Sequence, residues 1–68
     1  MKFIYKLSLI LSEQEKSFYS MEQAIGIARS TIYRGVKYKS TLAAIAYYVG
    51  MTVEELVDGT DAMDIWYG

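Results

Sequence analysis

The chain contains the sequence Gly26-Ile-Ala-Arg-Ser-Thr-Ile-Tyr-Arg34, which predicts a sharp bend followed by a short helix. Gly26 supplies the backbone freedom that such a bend requires. Ile27 and Ile32 are apolar and are expected to reach one core. The helix then presents four polar side chains on its opposite side: Arg29, Ser30, Tyr33 and Arg34. Such guanidinium, hydroxyl and phenol groups can hydrogen-bond base edges and phosphates in a DNA major groove.

Charge is distributed unevenly along the chain. The formal net charge is -1 and the pI is about 5.2, which by itself does not indicate a polyanion-binding protein. No acidic residue lies between Glu22 and Glu54, however, and that interval contains four cations: Arg29, Arg34, Lys37 and Lys39. Most acids follow it: Glu54, Glu55, Asp58, Asp61 and Asp64. A dipolar protein with one cationic face is therefore expected.

Length and composition exclude several classes of protein. A chain of 68 residues, of which 53% are apolar, is expected to form one domain over residues 1–68. The absence of cysteine and histidine removes thiolate nucleophiles, imidazole bases and the usual zinc ligands, so neither an enzyme nor a cofactor is predicted. The N-terminal apolar run is confined to Leu9–Leu11, so neither a secretory signal nor a membrane span is predicted, and the cytoplasm is the expected location.

Apolar spacing and capping residues predict five short helices. The first covers about residues 2–13, and its end is poorly marked because no glycine or proline precedes Gly26. Ser17 is the expected N-cap of the second helix; Ser20 is an alternative that would leave barely one turn. The third covers about residues 29–34.

The C-terminal half has two further helix signals. Ser40 or Thr41 is expected to cap a fourth helix whose buried side carries Leu42, Ile45, Ala46 and Val49. Thr52 and Glu55 have the spacing of a capping box, which predicts a fifth helix that ends before Gly59.

Residues 59–68 form an apolar tail that is costly to leave in water. This tail either folds over the chain's own core or forms an interface with a second copy or another protein. Aromatic side chains are typical of interface centres. The candidate interface residues are Tyr47, Met63, Ile65, Trp66 and Tyr67.

The order of these signals resembles the Cro/CI-type helix-turn-helix family of phage and bacterial repressors. The resemblance covers residues 17–58 and rests on Gly-Ile-x-Arg-Ser-Thr-Ile-x-Arg followed by Leu-x-x-Ile-Ala-x-x-Val-Gly-Met-Thr-Val-Glu-Glu-Leu. It implies an all-α, lambda-repressor-like bundle of about five helices with a central helix-turn-helix. It also implies dimeric operator binding with a recognition helix in the major groove.

The resemblance also implies roles for individual residues. The family's base-reading positions fall on Arg29, Ser30, Tyr33 and Arg34, and the cap that sets the second helix against a phosphate falls on Ser17. The hydroxyl of Thr31 and the ammonium groups of Lys37 and Lys39 are the other expected contacts to the DNA backbone.

Two functional hypotheses follow. The first is a sequence-specific transcriptional regulator, of the small phage or mobile-element repressor type, that binds double-stranded operator DNA as a homodimer. The alternative is a protein-interaction module of the same fold, such as an antirepressor or a partner of another repressor, with little DNA binding. The acidic total charge, the apolar tail and Glu22 at the expected crossing of two helices favour the alternative.

Overall fold

The computed structural model describes all 68 residues and contains six α-helices and no strands. The helices are α1 (Phe3–Glu13), α2 (Phe18–Ile25), α3 (Arg29–Arg34), α4 (Lys39–Val49), α5 (Val53–Val57) and α6 (Met63–Tyr67). The all-helical prediction is confirmed, and the first, second, third and fifth helices lie where the spacing predicts them. α6 lies in the tail, for which no helix was predicted.

One apolar core holds the bundle together, and α4 contributes four of its buried side chains and contacts α2, α5 and α6. The fully or nearly buried side chains are Phe3, Ile4, Leu7, Leu11, Met21, Ile32, Leu42, Ile45, Ala46, Val49, Leu56, Val57 and Ala62. Ile27, which was expected in the core, is only partly buried, as is Ile25, because both flank the exposed turn at Gly26. Met21 is the one fully buried side chain of α2, and Phe18 and Ile25 pack against the core beside it.

α1 ends in a Schellman motif with an unusual residue in it. The Lys16 N–H donates to the Leu11 carbonyl and the Glu15 N–H donates to the Ser12 carbonyl. Glu15 takes the left-handed conformation, with φ of 55°, that glycine usually supplies at this position. The sequence marked this helix end poorly because the residue that makes the turn is a glutamate.

The residues around this turn fasten α1 to the end of α4. The Gln14 side-chain amide donates to the Val49 carbonyl at 2.8 Å, and Lys16 Nζ donates to the Tyr48 carbonyl at 3.0 Å. Lys16 Nζ also lies 4.6 Å from the centre of the Tyr48 ring. These donors satisfy carbonyl groups that the last turn of α4 leaves without helical partners.

The predicted cap of α4 is wrong. The helix begins at Lys39 with Tyr38 as its N-cap, and no side chain caps it. Ser40 and Thr41 consequently lie inside the first turn. The reason is the short α3–α4 link: Gly35 has φ of 124° and ψ of 128°, which turns the chain immediately after α3 and lets the next helix start early.

The tail closes the bundle by joining the start of α1. Asp61 Oδ1 accepts a hydrogen bond from the Phe3 N–H at 2.9 Å, and the Asp61 N–H donates to the Met1 carbonyl at 3.1 Å. Since α1 has no cap from Lys2 and no acidic residue in its first turn, Asp61 serves as its cap from the far end of the chain.

Candidate nucleic-acid interface

α2, the turn at Gly26 and α3 form a helix-turn-helix. Ser17 caps α2 as predicted, because its Oγ accepts the Ser20 N–H at 3.0 Å. Gly26 ends α2 in the left-handed conformation, with φ of 72°, and its N–H donates to the Glu22 carbonyl at 2.9 Å. Ala28 is the extended N-cap from which α3 begins. The predicted bend is therefore confirmed.

α3 is held by one buried side chain and presents the other five to solvent. Ile32 is 3% exposed and lies in the core. The exposed side chains are Arg29, Ser30, Thr31, Tyr33 and Arg34. Most of the surface of this short helix is therefore accessible.

The two arginines of α3 have different surroundings. The Arg29 guanidinium carbon lies 5.5 Å from the centre of the Phe18 ring, so the first residues of α2 and α3 support each other. Arg34 is exposed at the other end of α3. Neither guanidinium lies within 4.0 Å of an acidic side-chain oxygen, including that of Glu22. Both charges are thus available to an external anion.

A small groove of about 270 Å³ lies at the end of α3 and brings several predicted contact residues together. Thr31, Arg34 and Lys37 line it, with Tyr38 and Thr41 beside them. Tyr38 was not among the predicted site residues, since nothing in its position in the link marks it. Two cations and three hydroxyl groups around one depression are suited to an anionic oxygen.

Lys39 lies apart from this group. Its Nζ is 5.9 Å from the centre of the Trp66 ring, so Lys39 lies beside the tail rather than beside α3. Ser17 is exposed at the start of α2, and its hydroxyl is also within 3.1 Å of the Ser20 hydroxyl.

A second groove of about 320 Å³ separates the end of α3 from α6 and the start of α1. Lys2 and Arg34 contribute cations to its walls, and Asp61 and Asp64 contribute carboxylates. Two carboxylates of the tail therefore lie near the end of α3. The two charge signs are less cleanly separated in space than along the sequence.

The predicted interface residues fall into two groups. Met63, Ile65 and Trp66 are partly buried against the chain's own core, and Trp66 Nε1 donates to Glu54 Oε2 at 3.3 Å. Tyr47 and Tyr67 remain 90% and 60% exposed. Within a single chain the tail thus covers the core, and part of its apolar surface stays accessible.

One acidic group is perturbed by local hydrogen bonding. The backbone and side chain of Thr52 hydrogen-bond to the Glu55 carboxylate and lower the pKa of Glu55 below its ordinary value of 4.5. This is the capping box that the sequence predicts, and both of its hydrogen bonds are formed. Its role is to begin α5, which lies on the acidic side of the molecule.

No group of three or more potential metal-ligating side chains is assembled. No helix is long and apolar enough to cross a lipid bilayer.

The comparison with known families agrees with the helix-turn-helix geometry. The family model described as the Cro/C1-type HTH DNA-binding domain matches residues 6–61, which include α2 to α5 in full. No curated protein and no solved structure matches the chain significantly. The family match extends over well more than half of the 68 residues. The chain therefore belongs to the Cro/C1-type helix-turn-helix DNA-binding family.

Proposed function

We propose that the protein is a sequence-specific transcriptional regulator, of the small phage or mobile-element repressor type, that acts in the cytoplasm on operator DNA as a homodimer. The observation that carries this proposal is the exposure of α3. Five of its side chains are exposed to solvent, two of these are arginines, and neither arginine forms a salt bridge with an acid. Unpaired guanidinium groups on an exposed helix are suited to hydrogen bonds with base edges and phosphates.

In this proposal α3 lies in the major groove. Arg29 and Ser30 at its start, and Tyr33 and Arg34 at its end, contact base edges. An arginine fork that donates two hydrogen bonds to guanine is worth about 1–3 kcal/mol of discrimination. The position of Arg29 over the Phe18 ring supports this role, because a cation–π contact restricts the guanidinium before DNA binds.

Backbone contacts hold this helix in register. Thr31 and Lys37, which share the groove at the end of α3, contact phosphates on one side, and Ser17 at the start of α2 contacts the backbone on the other. Lys39 is the least direct member of the set, since its ammonium lies near Trp66; its contribution is to the local positive potential.

Dimerisation places two copies of α3 about 34 Å apart, which is one turn of the double helix. The proposed contact surface consists of Tyr47, Met63, Ile65, Trp66 and Tyr67. The rings of Tyr47 and Tyr67 are exposed, and the other three contribute the parts of their side chains that the core does not cover. Replacing Trp66 with alanine is expected to shift the sedimentation profile towards monomer.

The proposal is tested by gel shift with DNA from the region flanking the protein's own gene, random DNA as competitor, and two salt concentrations. Affinity should fall steeply with salt because bound protein releases counterions from the DNA. Arg29→Ala should reduce the preference for the specific site by about 1–3 kcal/mol.

Lys37→Ala is the matched control. Loss of a phosphate contact weakens binding to specific and random DNA alike, and it lowers the salt slope by about one. Binding that responds to neither salt nor Arg29 would refute the DNA-reading function. It would instead favour the interaction module, for which the acids beside Arg34 in the second groove are the supporting observation.

A further inference from the structure

Arg34 is the one charged residue that lines both grooves at the end of α3, the small groove of about 270 Å³ and the second groove of about 320 Å³. Its side chain is exposed and forms no salt bridge. An arginine side chain has several rotatable bonds, and no hydrogen bond restrains this one. The guanidinium can therefore turn towards either groove.

The other charged side chains make the two grooves unequal for a cation. The small groove holds one of them, Lys37, which repels a second cation. The second groove holds Lys2 together with Asp61 and Asp64, so that apart from Arg34 its formal charge is -1. Because opposite charges attract and like charges repel, the unliganded chain favours the Arg34 guanidinium on the side of the second groove.

Asp64 is the carboxylate of the second groove that is available to Arg34. Asp61 already accepts the Phe3 N–H through Oδ1 at 2.9 Å, which commits it to the cap of α1. Asp64 lies in the first turn of α6, is exposed, and forms neither a side-chain hydrogen bond nor a salt bridge. Both of its carboxylate oxygens are therefore free to accept hydrogen bonds from a guanidinium fork.

We propose that Asp64 competes with an external polyanion, here DNA, for Arg34 and thereby lowers the DNA affinity of the chain. This role rests on the proposed function, in which Arg34 contacts DNA. A guanidinium that turns to a base edge or a phosphate gives up its attraction to Asp64, and that loss subtracts from the free energy of binding. The tail thus weakens the grip of the helix that reads DNA.

The expected size of the effect is modest. Arg34 and Asp64 lie more than 4.0 Å apart in this structure and both are exposed, so solvent and salt screen their attraction. An exposed charge pair of this kind changes an affinity about two- to fivefold at low ionic strength. The effect should shrink as salt is added, because the Debye length falls from about 30 Å at about 0.01 M to about 10 Å at about 0.1 M.

Fluorescence anisotropy with a labelled duplex of random sequence, at low salt, measures this competition. Asp64→Asn should tighten binding about two- to fivefold. Asp58→Asn is the matched control, because Asp58 is exposed, lines neither groove and carries the same charge. It should tighten binding clearly less, since it changes the total charge without changing the surroundings of Arg34.

Double variants separate competition for Arg34 from direct repulsion between Asp64 and DNA phosphates. In an Arg34→Ala background, Asp64→Asn should have no more effect than Asp58→Asn. In an Arg29→Ala background the full effect of Asp64→Asn should remain, because Arg29 begins α3 and lines neither groove.

Elution of the same variants from immobilised heparin, a polyanion without base edges, separates this proposal from the DNA-reading function. Asp64→Asn should elute at higher salt than Asp58→Asn, and Arg34→Ala should abolish the difference. That pattern on heparin without any binding to DNA would reject the DNA-reading function and support the competition for Arg34.

Three outcomes would overturn the competition. These are equal effects of Asp64→Asn and Asp58→Asn, an effect of Asp64→Asn that persists without Arg34, and a wild-type chain that binds neither DNA nor heparin. DNA binding that depends on Arg29 but not on Asp64 would reject the competition alone and leave the DNA-reading function intact.

Discussion

Replacing Glu15 with glycine should stabilise the protein, although it removes a side chain. Glu15 is exposed and takes φ of 55°, and its carboxylate forms no hydrogen bond or ion pair. Its backbone N–H nevertheless helps to close the turn that ends α1. A residue with a Cβ therefore occupies a conformation that glycine adopts without steric cost.

The magnitude follows from two opposing terms. Removing the Cβ eliminates the steric cost of the left-handed conformation, which stabilises the folded state by about 1–2 kcal/mol. Glycine also has greater conformational entropy in the unfolded chain, which lowers the free energy of unfolding by about 0.4–1 kcal/mol. The two ranges leave a net gain of about 0–1.6 kcal/mol, and its central value of about 0.8 kcal/mol raises Tm by about 3–6 °C for a domain of this size.

The chain contains a matched position for comparison. α4 ends in the same motif, with the Met51 N–H donating to the Ala46 carbonyl, but there the left-handed residue is Gly50, with φ of 72°. A Cβ added at Gly50 would meet no atom within 4 Å, so Gly50→Ala reports the same two terms with opposite sign and without a steric clash. It should destabilise the protein by about 0.8 kcal/mol, the central value of the difference between those two terms.

Thermal unfolding followed by circular dichroism measures both variants. Glu15→Ala serves as an additional control, since it keeps the Cβ and should leave Tm nearly unchanged. If Gly50→Ala lowers Tm while Glu15→Gly also lowers it, the Glu15 side chain contributes an interaction of its own, and the reasoning from backbone conformation is refuted.

Three other predictions concern the remaining contacts. Asp61→Ala should lower the free energy of unfolding by about 1 kcal/mol, because it removes the cap of α1, and Asp64→Ala should not, as thermal unfolding would show. Glu55→Gln should reduce stability near neutral pH and lose this effect as the pH falls below 4.5 through the lowered pKa of Glu55; a urea-midpoint difference that stays constant with pH would contradict it. Phe18→Ala should weaken DNA binding by about 0.5–1 kcal/mol in a gel shift through loss of the ring under Arg29, whereas Phe18→Tyr should retain it.

The short-range features of this fold were predictable from the sequence. The Ser17 cap, the bend at Gly26 and the Thr52–Glu55 capping box depend on hydrogen bonds between residues at most four positions apart. The identity of the neighbouring residues therefore determines them. The exposure of α3 was predictable for a related reason: in this helix Ile32 is the single large aliphatic residue, so the other side chains face outward.

Contacts between distant residues were decided by the tertiary structure. Asp61 caps a helix 58 positions away, Phe18 supports Arg29 across a turn, and the tail forms α6 because it lies on the core. On either side of the left-handed residue Glu15, the side chains of Gln14 and Lys16 likewise donate hydrogen bonds to carbonyl groups at the end of α4. No local pattern encodes such pairings, because their energy depends on which surfaces the packed helices bring together. Local hydrogen bonding thus determined where α2 and α5 begin and where α2 ends, and burial of the shared core determined which side chains of the packed helices meet.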